Sequence, residues 1–394
     1  MISTGSKSKD RLHLRSATEV HWIGLNRNWA EKRRLHAVLS VLPTILNISI
    51  LSLSFADVNE AQQAIIFGLS TLRTLVVRAC RFHPSTKPLP FSHVTALTLA
   101  NTNMQTSHRL LTILATTVET LEIDYLDSTI GPILILQGGL IQFPKLSAIS
   151  MRTLQYGIGL AISSTFKRYT SITTLHILFY LDLSQMSLED SDLPALRSVK
   201  CRHDLAMRLI PNRPVRTFVE VRTSRHTGPW RLLNALSKTN AWITNLKVSV
   251  SEQFYSLLPY LATSLPHLEQ LTLRYIRCGV PWLEASSPDR HPWQPPYNPP
   301  GAEAVILPKL KWVTFWVDLN QFHTNWRAEW SRTKYFCPAL EVFECLCPAD
   351  YGDHFDFGQL SEPDRAWKTR RLPDGTWEQQ GPPPIPAQKL HTAP

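Results

Sequence analysis

The residues that could do covalent chemistry are few and do not converge on one site. The tripeptide Asp356-Phe357-Gly358 matches the magnesium-binding signature of protein kinases, but no glycine-rich loop, strand lysine motif or His-Arg-Asp loop accompanies it. Gly157-Ile158-Gly159 lacks the third glycine of a dinucleotide-binding loop. The sequence also contains no phosphate-binding P-loop, no His-Glu-x-x-His motif and no Gly-x-Ser-x-Gly motif. We therefore predict a protein that is not an enzyme and uses no cofactor.

A group of cysteines near the C-terminus raises the question of zinc. Cys337, Cys345 and Cys347, with His354 nearby, are suitable ligand types. However, the paired spacing that is typical of zinc sites is absent. Cys345 is also an apolar anchor of the last repeat described below, and cysteine is a common buried residue. We favour a structural interpretation and predict no metal site.

Basic residues recur on short alternating segments, and binding is the chemistry that they suit. Arg and Lys bind carboxylates and phosphates, and Arg often does so bidentately. We hypothesise a recognition surface for an acidic or phosphorylated protein segment. Its candidate residues are Arg152, His176, Lys200, Arg202, Arg222, Lys247, Arg274 and, as an aromatic anchor, Trp316. The competing interpretation is an ordinary solvated surface, because exposed strand positions are polar anyway.

A repeated motif must position these residues. Its full form is apolar-Pro-x-Leu-x-x-Leu-x-Leu, as in residues 265–273. With the proline relaxed, the motif occurs twelve times, and eight of the eleven gaps between copies fall in the ~20–29 residue period of leucine-rich repeats. The first leucine-type anchors of the copies are Ile48, Leu72, Val94, Val118, Leu146, Ile172, Leu196, Val215, Ile243, Leu268, Leu310 and Leu340.

The spacing within each copy predicts the fold class. The x-x-Leu-x-Leu core alternates, so it predicts a short strand with one buried face. Helix-like segments between the strands occupy 60–69, 107–116, 230–238 and 253–262, and 31–42 precedes the regular array. One strand with one return helix cannot bury its own apolar side, but stacked repeats can. We predict an α/β fold, a right-handed leucine-rich-repeat solenoid (horseshoe) of about 12 irregular repeats with parallel strands on the concave face.

Composition and local sequence divide the chain into three regions. We predict a disordered basic lead over 1–17, a leucine-rich-repeat domain over 18–360 and a proline-rich, largely disordered tail over 361–394. Within the domain, 279–304 holds seven prolines and predicts an excursion loop. The position that is usually Asn or Cys in such repeats is mostly occupied by other residue types here, although Cys80 fits it. We therefore expect an irregular curve with variable turns.

The charge and cysteine content bear on partners and compartment. The chain has 41 Lys+Arg against 31 Asp+Glu, a net charge of +10, which favours acidic partners in general. Residues 1–10 contain no apolar signal core, and the longest apolar stretch, 130–141, is broken by Pro, Gln and Gly. The six cysteines form no disulfide framework. We expect an intracellular protein, cytoplasmic or nuclear, without a membrane partner.

With its repeats laid out, the chain resembles the fungal F-box/leucine-rich-repeat proteins. The resemblance rests on the apolar-Pro-x-Leu-x-x-Leu-x-Leu units, on the helix-then-strand entry at 35–55 and, in the tail, on Trp367, Arg370, Arg371 and Trp377. The F-box itself is not visible, since Leu42-Pro43 is followed by Thr44-Ile45 rather than by an acidic residue. The resemblance implies substrate recognition for a cullin-RING (SCF-type) ubiquitin ligase, with a ligase adaptor as partner only if an F-box exists.

The sequence thus predicts a monomeric, non-enzymatic module that binds a protein client, with no evident small-molecule substrate. The alternative is a free-standing interaction scaffold without a ligase link. A nucleic-acid-binding protein is a further rival, which aromatic residues interleaved on the strands would favour. Only Trp312 and Trp316 meet that criterion.

Overall fold

The alternating segments form strands, and a computed structural model of the chain gives their bounds. The structure describes residues 18–24, 29–44, 47–85, 92–125, 141–153, 159–178, 183, 186–221, 229–250, 257–275, 307–316, 337–348 and 363–380. The chain divides into two compact units, 1–196 (unit 1) and 197–394 (unit 2). Each unit is described by itself.

Unit 1 is built on parallel strands that alternate with helices. The sheet has the strand order β1-β2-β4-β6-β7-β8-β9, and β3 pairs with β5 in a separate two-stranded sheet. The strands are β1 (Glu19–Ile23), β2 (Ile50–Ser54), β3 (Asp57–Val58), β4 (Thr74–Arg78), β5 (Arg81–Phe82), β6 (Ala96–Ala100), β7 (Thr120–Tyr125), β8 (Ala148–Thr153) and β9 (Thr174–Ile177). The helices are α1 (Trp29–Val41), α2 (Glu60–Phe67), α3 (Met104–Leu114) and α4 (Gly159–Arg168), and a 3-10 turn (Leu42–Thr44) follows α1.

Unit 2 continues the alternation and ends in antiparallel strands. Its sheet order is β10-β11-β12-β13-β14-β15-β16-β17, parallel from β10 to β15 and antiparallel from β15 to β17. The strands are β10 (Ser198–Cys201), β11 (Thr217–Glu220), β12 (Asn245–Val250), β13 (Gln270–Tyr275), β14 (Trp312–Trp316), β15 (Val342–Pro348), β16 (Pro363–Arg371) and β17 (Trp377–Gln380). The helices are α5 (His203–Leu209), α6 (Pro229–Ser237) and α7 (Leu257–Ser264). The expected α/β class with parallel strands is confirmed.

One backbone carbonyl at each step sets the register of neighbouring strands. The carbonyl of Ser49 accepts the N–H groups of both Arg73 and Thr74, each at 2.9 Å. The same shared acceptor recurs in both units, at Thr18, Arg73, Thr95, Glu119, Ser147, Arg197, Arg216, Thr244, Glu269 and Lys311. This repeated contact aligns each strand start with the next, so equivalent motif positions come to lie side by side.

The aligned register forms continuous buried rows. In unit 1, Leu51, Leu75, Leu97, Leu121, Ile149 and Leu175 occupy successive register positions and are buried. In unit 2, the corresponding row is Val199, Phe218, Leu246, Leu271, Val313 and Phe343. Burying one such side chain contributes about 1.5–3 kcal/mol, which a single repeat could not obtain alone.

The proline of the motif has a local structural role. In all five copies that carry it, the residue before the proline accepts a hydrogen bond from the leucine anchor three positions later, so the proline lies at the second position of a β-turn, where its fixed φ is favourable. The acceptor–donor pairs are Phe143 and Leu146, Leu193 and Leu196, Leu265 and Leu268, Leu307 and Leu310, and Cys337 and Leu340. The turn delivers the chain into the strand.

Capping residues explain where two helices begin. Asn59 and Gln62 form a capping box, in which each side-chain oxygen accepts the other residue's backbone N–H, at 3.0 and 2.8 Å. At the start of α3, Asn103 Oδ1 accepts the N–H of Thr106 at 2.8 Å. Helices were expected at 60–69 and 107–116, so α3 begins three residues before its predicted start because Asn103 caps it there. The structure also places α4 and α5 where no helix was predicted.

Cys80 links neighbouring repeats with its thiol. Its Sγ accepts the N–H of Ala56 at 3.3 Å and donates to the carbonyl of Leu53 at 3.3 Å. The buried thiol therefore satisfies backbone groups of the preceding turn, which is the role expected at the Asn or Cys position of the repeat.

The region after residue 361 differs from the sequence expectation. The tail was expected to be largely disordered, but 363–380 contains β16 and β17, which pair with each other and with β15. The connecting turn has Gly375 at a φ of +84°, and Leu372 N–H donates to the carbonyl of Thr376 at 2.8 Å. Pro373-Asp374-Gly375 is a turn signal that the compositional argument overlooked. Hydrogen bonds from Thr376 lower the pKa of the Asp374 carboxyl.

Several expectations concern residues outside the described ranges. These are the basic lead at 1–17, the excursion loop at 279–304 and the residues beyond 380. Within the described ranges, no helix combines the length and the apolar character that a membrane crossing requires.

A strained turn offers a test of the repeat geometry. Ala79 follows β4 with a φ of +48°, and Asn101 follows β6 with a φ of +50°. An alanine in this left-handed region is destabilised, whereas Asn tolerates the region better and Gly is unstrained there. Ala79→Gly should therefore raise the free energy of unfolding by about 0.5–1 kcal/mol, measured by urea denaturation.

Asn101→Gly is the matched control for Ala79→Gly, because the two residues make equivalent backbone hydrogen bonds to the next strand. The Ala79 N–H donates to the Ala100 carbonyl at 2.7 Å, and the Asn101 N–H donates to the Asp124 carbonyl at 3.1 Å. Asn101→Gly should stabilise the protein less than Ala79→Gly does. An Ala79→Gly protein that is no more stable than the unsubstituted chain would contradict the turn geometry.

Candidate partner-binding face

The strand residues that alternate with the buried rows form a second, polar face in each unit. In unit 2 this face consists of three rows across the strands. The first row is Ser198, Thr217, Asn245, Gln270 and Trp312; the middle row is Lys200, Val219, Lys247, Thr272, Thr314 and Glu344; the last row is Ser249, Arg274 and Trp316. We call this surface the polar face of unit 2.

The polar face of unit 2 is open at the beginning of its strands and covered towards their ends. In the first row, Gln270 is exposed and the Trp312 side chain is 37% exposed. In the last row, Arg274 and Trp316 are only 6% and 7% exposed. A partner that approaches this face therefore meets the first and middle rows before it meets the last.

The predicted contact residues of unit 1 lie on its own strands. Arg152 lies on β8 in register with Asp124 of β7, and His176 lies on β9 in register with Ser150. Both side chains are half-buried. On the neighbouring strand β7, the carboxylate of Glu122 accepts a hydrogen bond from the Thr98 hydroxyl at 3.1 Å. One of its oxygens is therefore already hydrogen-bonded within the protein.

Among the predicted contact residues of unit 2, Lys200 and Lys247 lie in the middle row and are half-buried. Arg202 lies outside the rows, since it is the N-cap residue of α5 and its guanidinium contacts Asp204 at 3.3 and 3.4 Å. Arg222 lies outside the described residues. The structure thus places the two lysines together with Arg274 and Trp316 on one face, but at different depths.

The structure adds Trp312, which the sequence analysis had not chosen as a contact residue. Its indole N–H donates to Thr314 Oγ1 at 2.9 Å and to Glu344 Oε2 at 3.2 Å. Lys368 Nζ lies 2.6 Å from Glu344 Oε1 and 5.0 Å from the centre of the Trp312 ring. This cation–π contact and the ion pair hold the exposed ring in one orientation.

Two side-chain amides beside Trp312 were also missed. Asn245 Nδ2 donates to Gln270 Oε1 at 2.7 Å, while the buried Oδ1 atom of Asn245 has no hydrogen-bond partner. Alternation along the strand could have identified both residues, because the position four residues before the last-row residue lies on the same face.

A buried pair of polar side chains, Glu220 and His203, lies on the core side of unit 2. Glu220 occupies the third apolar anchor of its repeat and is 1% exposed. Its Oε1 lies 3.4 Å from His203 Nδ1, and its Oε2 accepts the N–H of Ser249 at 2.8 Å. The paired register of β11 and β12 ends at Val219 and Lys247, so the carboxylate supplies an acceptor just beyond the last paired residues.

The cysteines of the described ranges are core residues. Cys80, Cys201, Cys337 and Cys345 are buried free thiols. Burial raises the pKa of the Cys337 thiol to about 12, and burial together with the nearby carboxylates of Asp204 and Glu220 raises that of Cys201. Among the described residues, no group of three or more His, Cys, Asp or Glu side chains is arranged to hold a metal ion. Cys347 and His354 lie outside the side chains that the structure describes.

Comparison with known proteins gives no family assignment. No protein-family model matches the chain, and no curated protein matches it either. The interpretation of the polar face therefore rests on the residues themselves.

The buried Glu220 pair yields a stability prediction. Glu220→Ala removes the acceptor of the Ser249 N–H and the carboxylate partner of His203 inside the core. The variant should lose about 2–5 kcal/mol of unfolding free energy, because unpaired buried polar groups are strongly unfavourable. Glu220→Gln should lose less, since its amide oxygen can still accept the Ser249 N–H.

Glu269→Ala is the control for Glu220→Ala. Glu269 pairs with Lys311 at 3.7 Å, and both side chains are about half exposed. Such surface pairs contribute little, so this variant should change stability by less than about 1 kcal/mol in the same urea titration. Equal effects of the two substitutions would argue against a structural role of the Glu220 carboxylate.

Proposed function

We propose that this protein is a non-enzymatic leucine-rich-repeat module that captures a protein client on the polar faces of its parallel strands. In this proposal the chain forms a right-handed solenoid of about twelve irregular repeats with the strands on its concave side. The observation that carries the proposal is the shared register, which lines up equivalent motif positions into buried apolar rows on one side of the sheet and polar rows on the other. Repeat proteins use such extended rows as binding surfaces.

The charge of the polar face in unit 2 supports an acidic client. Lys200 and Lys247 lie in the same row, while Glu344 in that row is already paired with Lys368 at 2.6 Å. Within the described part of the chain, no hydrogen bond or ion pair neutralises the Lys247 amino group, so its positive charge is available to a client. Carboxylates or phosphates of a client would complement it.

The resemblance to F-box/leucine-rich-repeat proteins suggests the biological role. We propose that the captured client is a substrate of a cullin-RING ubiquitin ligase and that this chain acts as the recognition subunit. A free-standing interaction scaffold differs from this proposal only in the missing link to the ligase adaptor. Co-purification separates the two roles, because only the recognition subunit should recover the adaptor.

The proposal predicts that client capture depends on the middle row. The tagged full chain should recover its client proteins from nuclease-treated extract of the source organism, quantified by mass spectrometry. Lys200→Glu combined with Lys247→Glu should lower that recovery at least fivefold, because the reversed charges repel an acidic segment. The nuclease treatment removes proteins that are recovered only through nucleic acid.

The matched control reverses two charges away from the polar face. Arg231 on α6 and Lys238 just after it are exposed, so Arg231→Glu combined with Lys238→Glu changes the net charge equally. This control variant should retain the clients. Equal losses in both variants, or recovery that is unchanged by the middle-row substitutions, would contradict the proposed surface.

A further inference from the structure

We propose that the open part of the polar face of unit 2 binds an extended acidic peptide segment, in which a carboxylate side chain meets Lys247 and an apolar side chain four residues away packs on Trp312. This inference rests on the proposed function and specifies the client chemistry for one part of that surface. It differs from the sequence hypothesis, which placed the aromatic anchor at Trp316.

Trp312 suits an apolar contact because its polar atom is already satisfied. The indole N–H is hydrogen-bonded to Thr314 and Glu344, yet 37% of the residue is exposed. A tryptophan that is held in place loses little side-chain entropy when a partner packs on it. Trp316, by contrast, is 7% exposed and offers little surface to a partner.

Lys247 suits a carboxylate because no other described group neutralises it. No hydrogen bond or ion pair within the described part of the chain involves its amino group, and its register neighbours Val219 and Thr272 are uncharged. Near Trp312, the carboxylate of Glu344 is paired with Lys368. An acidic segment would therefore gain an ion pair at Lys247 without meeting an unpaired negative charge at Trp312.

The amide of Gln270, oriented by Asn245, suits the backbone of an extended peptide. Asn245 precedes Lys247 by two residues on β12, and Gln270 lies in register between Asn245 and Trp312. Asn245 Nδ2 donates to Gln270 Oε1 at 2.7 Å, which orients the exposed Gln270 side chain. The Gln270 amide can still donate to a peptide carbonyl, because its hydrogen bond with Asn245 uses only its oxygen.

The strand lattice sets the spacing of the two recognised side chains. Lys247 and Trp312 lie two strands apart and two residues apart along the strand direction. With strands about 4.8 Å apart and about 3.3 Å per residue, their Cα atoms are separated by about 12 Å. An extended peptide covers that distance in three to four residues. Because side chains alternate between the two sides of an extended chain, only the four-residue spacing turns both side chains towards the protein, and this is the spacing we infer.

The alternative ligands have different requirements. Single-stranded nucleic acid calls for several stacking aromatics, whereas the first and middle rows, as far as the structure describes them, contain one aromatic ring, that of Trp312. A phosphorylated peptide is bound best by Arg clusters, and Arg274 is nearly buried at the covered end of the face. A peptide with one carboxylate and one apolar side chain requires only one cation and one exposed ring, which Lys247 and Trp312 provide.

The test uses the full chain and labelled synthetic peptides, with binding measured by fluorescence anisotropy. Each peptide carries one Asp and one Phe in an otherwise Ser/Thr background, separated by one, three, four or seven positions. The four-residue spacing should bind at least fivefold more tightly than the others, including the three-residue spacing, in which the two side chains point to opposite sides of an extended chain. Replacing Asp by Asn, or raising the salt concentration, should weaken that binding because the ion pair is lost or screened.

Matched protein variants assign the two contacts. Trp312→Ala and Lys247→Met should each weaken the best peptide roughly tenfold, as expected for central contact residues. Trp242→Ala removes another tryptophan of unit 2, one that is 61% exposed and stacks on His267 instead of lying in a row of the polar face. Lys309→Met is the control for the lysine. Both controls should bind like the unsubstituted protein.

Three outcomes would overturn the inference: affinity that is independent of spacing, equal effects of Trp312→Ala and Trp242→Ala, or tighter binding of a single-stranded oligonucleotide at the same site. Lys247→Met and Trp312→Phe keep the test decisive if Trp312→Ala does not fold, since the phenylalanine variant should retain most of the affinity. If no spacing preference appears while the middle-row charge reversals still abolish client capture, this inference fails and the proposed function stands. If client capture also persists, both fail.

Discussion

A shared backbone carbonyl at the start of each strand is the contact on which the rest of the structure depends. By accepting two successive N–H groups of the next repeat, carbonyls such as those of Ser49 and Thr244 fix each strand against its neighbour with no offset. A slip of one residue would turn every leucine of a strand to the opposite face. The apolar rows therefore reinforce the register that the backbone bonds establish, and neither would be sufficient alone.

The same register organises the polar face, because the two faces of a strand are inseparable. Once Leu246 and Leu271 are aligned in the core, Lys247 and Thr272 must be neighbours on the other side. The packing of the core therefore fixes the positions of the candidate binding residues on the strands, even where their side chains make no contacts with one another. Where the register of β11 and β12 ends, the carboxylate of Glu220 holds the Ser249 N–H, and the polar rows continue on β12 and β13.

Exposure differs between neighbouring rows of the same face. Lys247 lies in the middle row and is half-buried, whereas Arg274 and Trp316 lie in the last row and are nearly inaccessible. The sequence could identify the face and most of its members, since alternation depends only on neighbouring residues. It could not rank them by access, which depends on chain segments that are distant in sequence. It also could not foresee that Arg202 would stand at the N-cap position of α5 and contact Asp204.

The sequence alone determined the period, the strand positions, the buried leucines and the turns that open the proline-containing repeats, because each of these follows from local spacing and from the restricted φ of proline. Tertiary structure alone decided which polar groups meet. The network of Trp312, Glu344 and Lys368 joins three segments of the chain. The turn between β16 and β17 has a local signal in Pro373-Asp374-Gly375, but the pairing of β16 with the edge of β15 has none. Such contacts depend on the free energy of assembling distant segments, which no local pattern encodes.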